Sequence, residues 1–141
     1  SAVILMHMPG TPKTMMKNNN YDNVVLDIYD YLENKIRYCE RFGVKREKII
    51  IDPGIGFGKD TDQNIQILKN LSIFHSLGCP IMLGVSRKSL ISKFGGAIIP
   101  KDRLAGSLAI QLKALLEGIQ IFRVHDVKET VQAFEAWQAI H

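Results

Sequence analysis

The sequence predicts an α/β chain of four βα units, and three observations carry that expectation. Four times a short apolar segment passes through a loop into a longer stretch with helical spacing. No hairpin signal joins two apolar segments, so the strands should run parallel. The third observation is the placement of charge. Asp52, Arg87, Lys88 and His125 stand just past strand ends, with Arg123 slightly earlier. Four units make half of a (βα)8 TIM barrel, which typically needs about 250 residues. An open flavodoxin-like sheet is the competitor. Arg123 favours the barrel, because it shares strand parity with Ile121 and His125 and so points to one face with them. An inward arginine costs several kcal/mol unless something anionic answers it. A barrel mouth that holds a charged ligand meets that need.

The first unit runs from "AVILMHM" (2–8) through a loop at Thr14 and Asn20 into a helix near 22–42. Its apolar positions Val25, Ile28, Leu32, Ile36 and Cys39 recur at three and four residues, and Gly43 is a natural stop. The second unit is "KIIID" (48–52), a glycine loop and a helix near 61–77. Asp60 or Thr61 can cap that helix, with Ile65, Leu68, Leu71 and Phe74 as its buried stripe. The third is "PIMLGVS" (80–86), then "RKSLISKF", a Gly/Pro loop and a helix from about Asp102. The fourth is "IQIFRV" (119–124) followed by "HDVKETVQAFEAW", where Asp126 and Glu129 have capping-box spacing. No linker or composition shift divides the 141 residues, so residues 1–141 read as one domain.

Composition narrows the function classes. At 46% hydrophobic and 23% charged the chain reads as a soluble, globular, cytoplasmic protein. No apolar run approaches the ~20 residues of a membrane span. The start "SAVILMHMPG" lacks the basic region of a signal peptide and lacks an initiator Met, which hints at a fragment of something longer. The net charge of +4 is scattered among acids, unlike the basic stripe that nucleic acid demands. Cys39 and Cys79 have no metal-ligand spacing and read as buried thiols.

Three stretches carry chemistry. "IIIDPGIGFGKD" (49–60) resembles a phosphate cradle but fails by position. A dinucleotide fingerprint needs glycine at 59, where Lys59 stands; a P-loop needs glycine at 53 and Ser or Thr at 60, where Pro53 and Asp60 stand. What remains is a strand-end carboxylate, Asp52, able to take paired N–H donors from a planar heterocycle. The bland alternative is an Asp that caps its own turn. In "GVSRKSL" (84–90), Ser86 can cap the next helix, Lys88 can polarise a heterocycle, and Arg87 can stack or pair with a carboxylate. Otherwise this is a solvated basic turn. "FRVHD" (122–126) places Arg123 and His125 on one face, a pair suited to a diphosphate. His7 reads as a satisfied core histidine, His75 as surface, and Met6 and Met8 as core or pocket lining. Trp137 reads as packing or an interface anchor. No His/Cys/Glu cluster points to zinc, and no Ser-His-Asp set is resolved.

In order and spacing, "LMHMPGTPKTM", "DPGIGFGK", "GVSRKS", "DRLAGSLA" and "RVHDV" resemble the dihydropteroate synthase family of folate biosynthesis. The resemblance covers essentially the whole chain and matches the C-terminal half of that (βα)8 barrel. It implies condensation of 6-hydroxymethyl-7,8-dihydropterin diphosphate with 4-aminobenzoate, giving 7,8-dihydropteroate and diphosphate. Asp52 and Lys88 would bind the pterin, Arg123 and His125 the diphosphate, and Phe57, Arg87 and Ser89 would surround the aminobenzoate. Gly56 and Gly84 match small positions near the ligands, and Met6 matches a pterin-pocket position. The resemblance also implies Mg²⁺, whose ligand belongs to the unmatched N-terminal half, and a homodimer. The 141-residue chain alone is expected to be inactive. The rival readings are a pterin-dependent methyltransferase barrel and a non-catalytic, self-associating half-barrel.

Overall fold

The computed structural model describes residues 1–10 and 20–141. The loop position Thr14 lies outside that range. The elements are β1 (Val3–Met6), α1 (Val24–Arg41), β2 (Ile49–Asp52), α2 (Thr61–Lys69), β3 (Met82–Leu83), a short α3 (Ser92–Gly95), α4 (Leu104–Leu116), β4 (Ile121–Phe122) and α5 (Val127–Ala139).

Pairing is parallel and follows chain order. β1 lies on β2 with Met6 opposite Asp52. A single Ile51–Ile81 bridge carries the sheet to β3, and Leu83 of β3 lies opposite Phe122 of β4. A flavodoxin-like sheet sets its first strand between the second and third. The sequential order here removes that competitor. Right-handed crossovers between sequential neighbours put the helices on one side of the sheet.

Strand parity then assigns the two faces. Ile49, Ile51, Ile81 and Leu83 point toward the helices and are fully buried against Ile28, Leu32 and Ile36 of α1 and the residues Ile67, Leu71 and Phe74. Ile4, Met6, Ile50 and Asp52 share the opposite face, where Ile4 is half exposed. That face carries the polar residues at its C-terminal edge.

The helices form where capping and spacing agree. Asn23 starts α1, its side chain accepting from Leu26 N at 3.1 Å. Asp60 starts α2 in a reciprocal capping box: Gln63 N donates to its carboxylate at 2.8 Å, and Asp60 N donates to the Gln63 side chain at 2.9 Å. The predicted helix over 61–77 divides at Asn70, whose side-chain amide donates back to Gln66 O at 2.7 Å and competes with helix continuation. The chain resumes as 3-10 turns over Leu71–Leu77. Within α2 the buried positions are Asn64, Ile67 and Leu68, so Ile67 is fully buried and Ile65, expected in the stripe, is half-buried. The helix expected from Asp102 starts at Leu104, after a 3-10 turn over Pro100–Arg103.

Two capping expectations fail for one reason. Asp126 makes no side-chain cap on α5, because both its oxygens are held by Arg87. Ser86 caps no helix either; its hydroxyl faces His125. His75 is less exposed than expected and donates from Nε2 to Glu117 O at 2.7 Å. Cys79 is buried, Cys39 is half-buried, and both are free thiols. No helix among the described residues is long and apolar enough to cross a membrane.

Phe74 is fully buried and stacks on Tyr29 with ring centroids 6.5 Å apart. Phe74→Ala is expected to cost about 3–5 kcal/mol, read as a lower urea midpoint; a loss below about 1 kcal/mol would show that this core does not depend on it.

Candidate active site

Asp52 ends β2 on the face away from the helices, and it is 1% exposed. One carboxylate oxygen, Oδ1, accepts from Gly54 N at 2.8 Å, so the Asp-Pro-Gly turn does cap itself. The other, Oδ2, lies 3.4 Å from Arg123 Nη2. Burial pushes the Asp52 pKa up, opposed by the Gly54 bond and by Arg123, Lys88 and Lys59. Three cations therefore converge on one carboxylate, leaving the site a surplus of positive charge. Such a site favours an anionic ligand.

The glycine loop is pinned from several sides and has few amides left for phosphate. Gly54 N serves Asp52, and Gly56 N donates to the buried Asn64 side chain at 3.0 Å. Tyr21 donates its hydroxyl to Gly58 O at 3.1 Å. Lys59 folds back under the loop, its Nζ donating to Gly54 O and Phe57 O, both at 2.8 Å. Its burial lowers its pKa to about 7, with Asp52 pulling the other way. Gly54 has φ +76°, and a Cβ there would stand 1.9 Å from His7 O. Glycine is obligatory at that crossing of β1 and the loop.

Lys88 reaches across from the loop after β3. Its Nζ donates to Ile55 O and lies 4.8 Å from the centre of the Phe57 ring. Burial lowers its pKa to about 8, Asp52 opposing and Arg123 adding to the effect. Gly84 lets Arg123 pass: a Cβ there would stand 2.7 Å from Arg123 Nη2. The Arg123 side chain remains 52% exposed, so its charge is open to a ligand despite Asp52. Ser86 Oγ accepts from His125 N at 3.2 Å and sits 3.1 Å from His125 Nδ1.

Two cavities share Lys88 as a wall. One, about 180 Å³, is lined by Gly84, Ser86, Lys88, Arg123, Val124 and His125. The other, about 280 Å³, includes Gly56, Lys59, Asn64, Lys88, Ser89 and Lys93 in its lining. Arg87 lines neither. Its backbone adopts φ +56°, a left-handed conformation that costs a non-glycine residue about 1 kcal/mol or more. Its guanidinium grips Asp126 through two bonds, Nη2 to Oδ1 at 2.6 Å and Nε to Oδ2 at 3.1 Å.

The sequence model of pterin binding enzymes matches residues 1–125. The chain belongs to the pterin-binding enzyme family. It is similar to dihydropteroate synthase of Escherichia coli K12, 44% identical over 137 residues that cover 97% of this chain and 48% of that protein. Among solved structures it resembles the Xanthomonas albilineans dihydropteroate synthase complexed with 7,8-dihydropteroate. That likeness has a TM-score of 0.90 and 40% identity, over 99% of this chain and 50% of that one. The Thermus thermophilus enzyme in complex with 4-aminobenzoate aligns with a TM-score of 0.93 and 37% identity, over 98% of this chain and 56% of that one. The chain thus spans about half the length of the relatives it matches.

Asp52, Lys88, Arg123, Gly84 and His125, which the sequence singled out, lie together around one cavity and its edge, and Met6 stands beside Asp52 in the ladder. Phe57, Gly56 and Ser89 gather around Lys88 on its other side. Sequence reasoning gave no role to Lys59, Asn64 or Tyr21, which hold the glycine loop. Lys59 closes the glycine motif, and its place there was the available signal; Asn64 and Tyr21 carry none. Among the described residues no group of three or more His, Cys, Asp or Glu side chains is placed to hold a metal ion.

His7 is buried as predicted but not satisfied: its Nδ1 has no hydrogen-bond partner among the described residues. Its ring meets Tyr31 edge-on at 4.7 Å. Burial, with Lys59 adding to it, lowers its pKa from 6.5 to about 3. The unfolded chain therefore takes up that proton first, so the stability is present above pH 6.5 and is lost as pH falls toward 3. His7→Phe is expected to flatten this limb, losing roughly 3 kcal/mol less than the parent between pH 7 and 4 by urea unfolding. Parallel acid limbs in the two proteins would contradict a neutral buried His7.

Proposed function

We propose that this chain supplies the pterin- and diphosphate-binding side of a dihydropteroate synthase, as the last four βα units of a (βα)8 barrel. Sequential parallel strands, helices on one side and a half-exposed Ile4 on the other support the barrel reading. The reaction joins 6-hydroxymethyl-7,8-dihydropterin diphosphate to 4-aminobenzoate. Relatives and neighbours that carry the synthase name, one of them complexed with 7,8-dihydropteroate, support that choice.

The observation that carries the reading is the juxtaposition of one buried carboxylate, Asp52, with the open cation Arg123. A pterin's amino-pyrimidinone edge offers paired N–H donors, which a carboxylate accepts in a bidentate fashion. Asp52 takes that role, and Lys88 donates to the ring. The exocyclic methylene then points toward Arg123, His125 and Ser86. The arylamine nitrogen attacks that carbon, the carbon–oxygen bond breaks with its electron pair leaving on diphosphate, and the ammonium proton passes to solvent or product. Arg123 and His125 stabilise the departing charge. An arylamine is already nucleophilic, so no activated side chain is required. Phe57, Gly56 and Ser89, on the far side of Lys88, border the second substrate. Methyl transfer on a pterin would have no use for the Arg123–His125 wall, which favours the diphosphate reading.

The Mg²⁺ and the remaining substrate contacts are assigned to the part of the relatives' length that this chain does not match. The chain alone is therefore expected to bind ligands weakly and not to turn over. Calorimetric titration with inorganic pyrophosphate should show binding that Arg123→Ala weakens at least tenfold. Titration with 6-hydroxymethylpterin should show binding that Asp52→Asn weakens at least tenfold. Pyrophosphate binding unchanged in Arg123→Ala would overturn the assignment.

A further inference from the structure

The resemblance places Arg87 beside the aminobenzoate, yet it lines neither cavity and its guanidinium is held by Asp126 at the start of α5. Its backbone is fixed as well. Arg87 N donates to Ser107 Oγ at 2.9 Å, and Arg87 O accepts from Arg103 Nη1 at 2.8 Å. Ser107 in turn donates to Arg103 O at 2.8 Å. The left-handed backbone at Arg87 stands between Lys88, which lines both cavities, and Ser86, which lines one, while Arg87 itself lines neither. The same turn presents Ser86 to His125.

The cavity between β3 and β4 has two walls, Gly84–Lys88 and Arg123–His125. Among the described residues these walls and their immediate neighbours are joined by Arg123 N to Leu83 O at 2.9 Å, the two Ser86–His125 contacts, and the forked Arg87–Asp126 pair. A fork of two charge-assisted bonds fixes both distance and angle, which a single point charge cannot.

We propose that Arg87 and Asp126 form a strut that sets the spacing of these two walls, Arg87 being a positioning residue that touches neither substrate. The proposal rests on the reading of this cavity as a diphosphate site. It makes the strained turn at Arg87 part of the function: Asp126, Ser107 and Arg103 hold the conformation so that Lys88 and His125 face one another's ligand.

The test uses Arg87→Ala, Asp126→Asn and the double variant of this chain. Each single variant is expected to weaken pyrophosphate binding about tenfold, and the double variant no more than a single one, because the two residues act as one unit. Binding of 6-hydroxymethylpterin should weaken less than pyrophosphate binding, because Asp52 stays in place and only Lys88 is displaced; an equal or larger loss for the pterin would overturn the strut. Arg87→Lys keeps the charge but loses the fork, and should behave like Arg87→Ala; full recovery would overturn the strut. Additive losses in the double variant would overturn it too. A measurement without ligand runs alongside. Amide hydrogen exchange at Arg123 and His125 should quicken at least tenfold in both single variants, with Ile50 and Ile51 unchanged. Unchanged exchange at His125 would overturn the strut, as would equal acceleration at Ile50 and Ile51, which would make the pair a general stabiliser. If the unsubstituted chain fails to bind pyrophosphate, the diphosphate reading falls and exchange alone decides the strut.

Discussion

A buried carboxylate at the end of a strand is the constraint around which this molecule is arranged. Asp52 has lost its water, and a lone charge there would be untenable. The Gly54 amide, Arg123, and the nearby cations of Lys59 and Lys88 offset that cost. Each helper imposes a structural demand of its own. Gly54 must be glycine because His7 O occupies the place of its Cβ. Gly84 must be small because the Arg123 guanidinium passes over it. Lys59, itself buried, must commit its donors to Gly54 O and Phe57 O. The loop conformation, the strand spacing and the cation cluster are three consequences of one desolvated charge.

The arrangement divides its labour. Asp52 is satisfied on one oxygen by its own turn, and only loosely on the other, by Arg123 at 3.4 Å. A heterocycle with two donors can improve on that weak contact. In the proposed reading Arg123, released or shared, then serves the anion on the next wall. Lys88 stands between the two cavities and contributes to both. The glycines of the loop make room and do not cradle phosphate, because Asp52 and Asn64 have taken the Gly54 and Gly56 amides.

Much of this was legible in the sequence, for physical reasons that differ by element. Strand parity has a period of two, so numbering alone put Arg123 and His125 on one side, and they do line one cavity although the strand itself ends at Phe122. The strand-end position of Asp52 followed from "IIID". α1 was legible because its apolar stripe and stop agree. What escaped notice depended on competition between partners. Asp126 had the spacing of a helix cap, but Arg87, far away in the chain, outcompetes a backbone amide for it. Ser86 similarly prefers His125 to its own helix. Asn70 breaks a helix whose apolar pattern runs on past it. Lys59 was visible as a residue but not as a buried one, since nothing local says that a lysine folds beneath its own loop.

The most direct measurement of the central claim is the carboxyl ¹³C resonance of Asp52, assigned by its loss in Asp52→Asn, followed while 6-hydroxymethylpterin is added. If Asp52 recognises the heterocycle, that resonance moves and saturates with the binding isotherm. If pterin binds and the Asp52 carboxyl does not respond, the carboxylate serves only its own turn, and the account of this site is wrong.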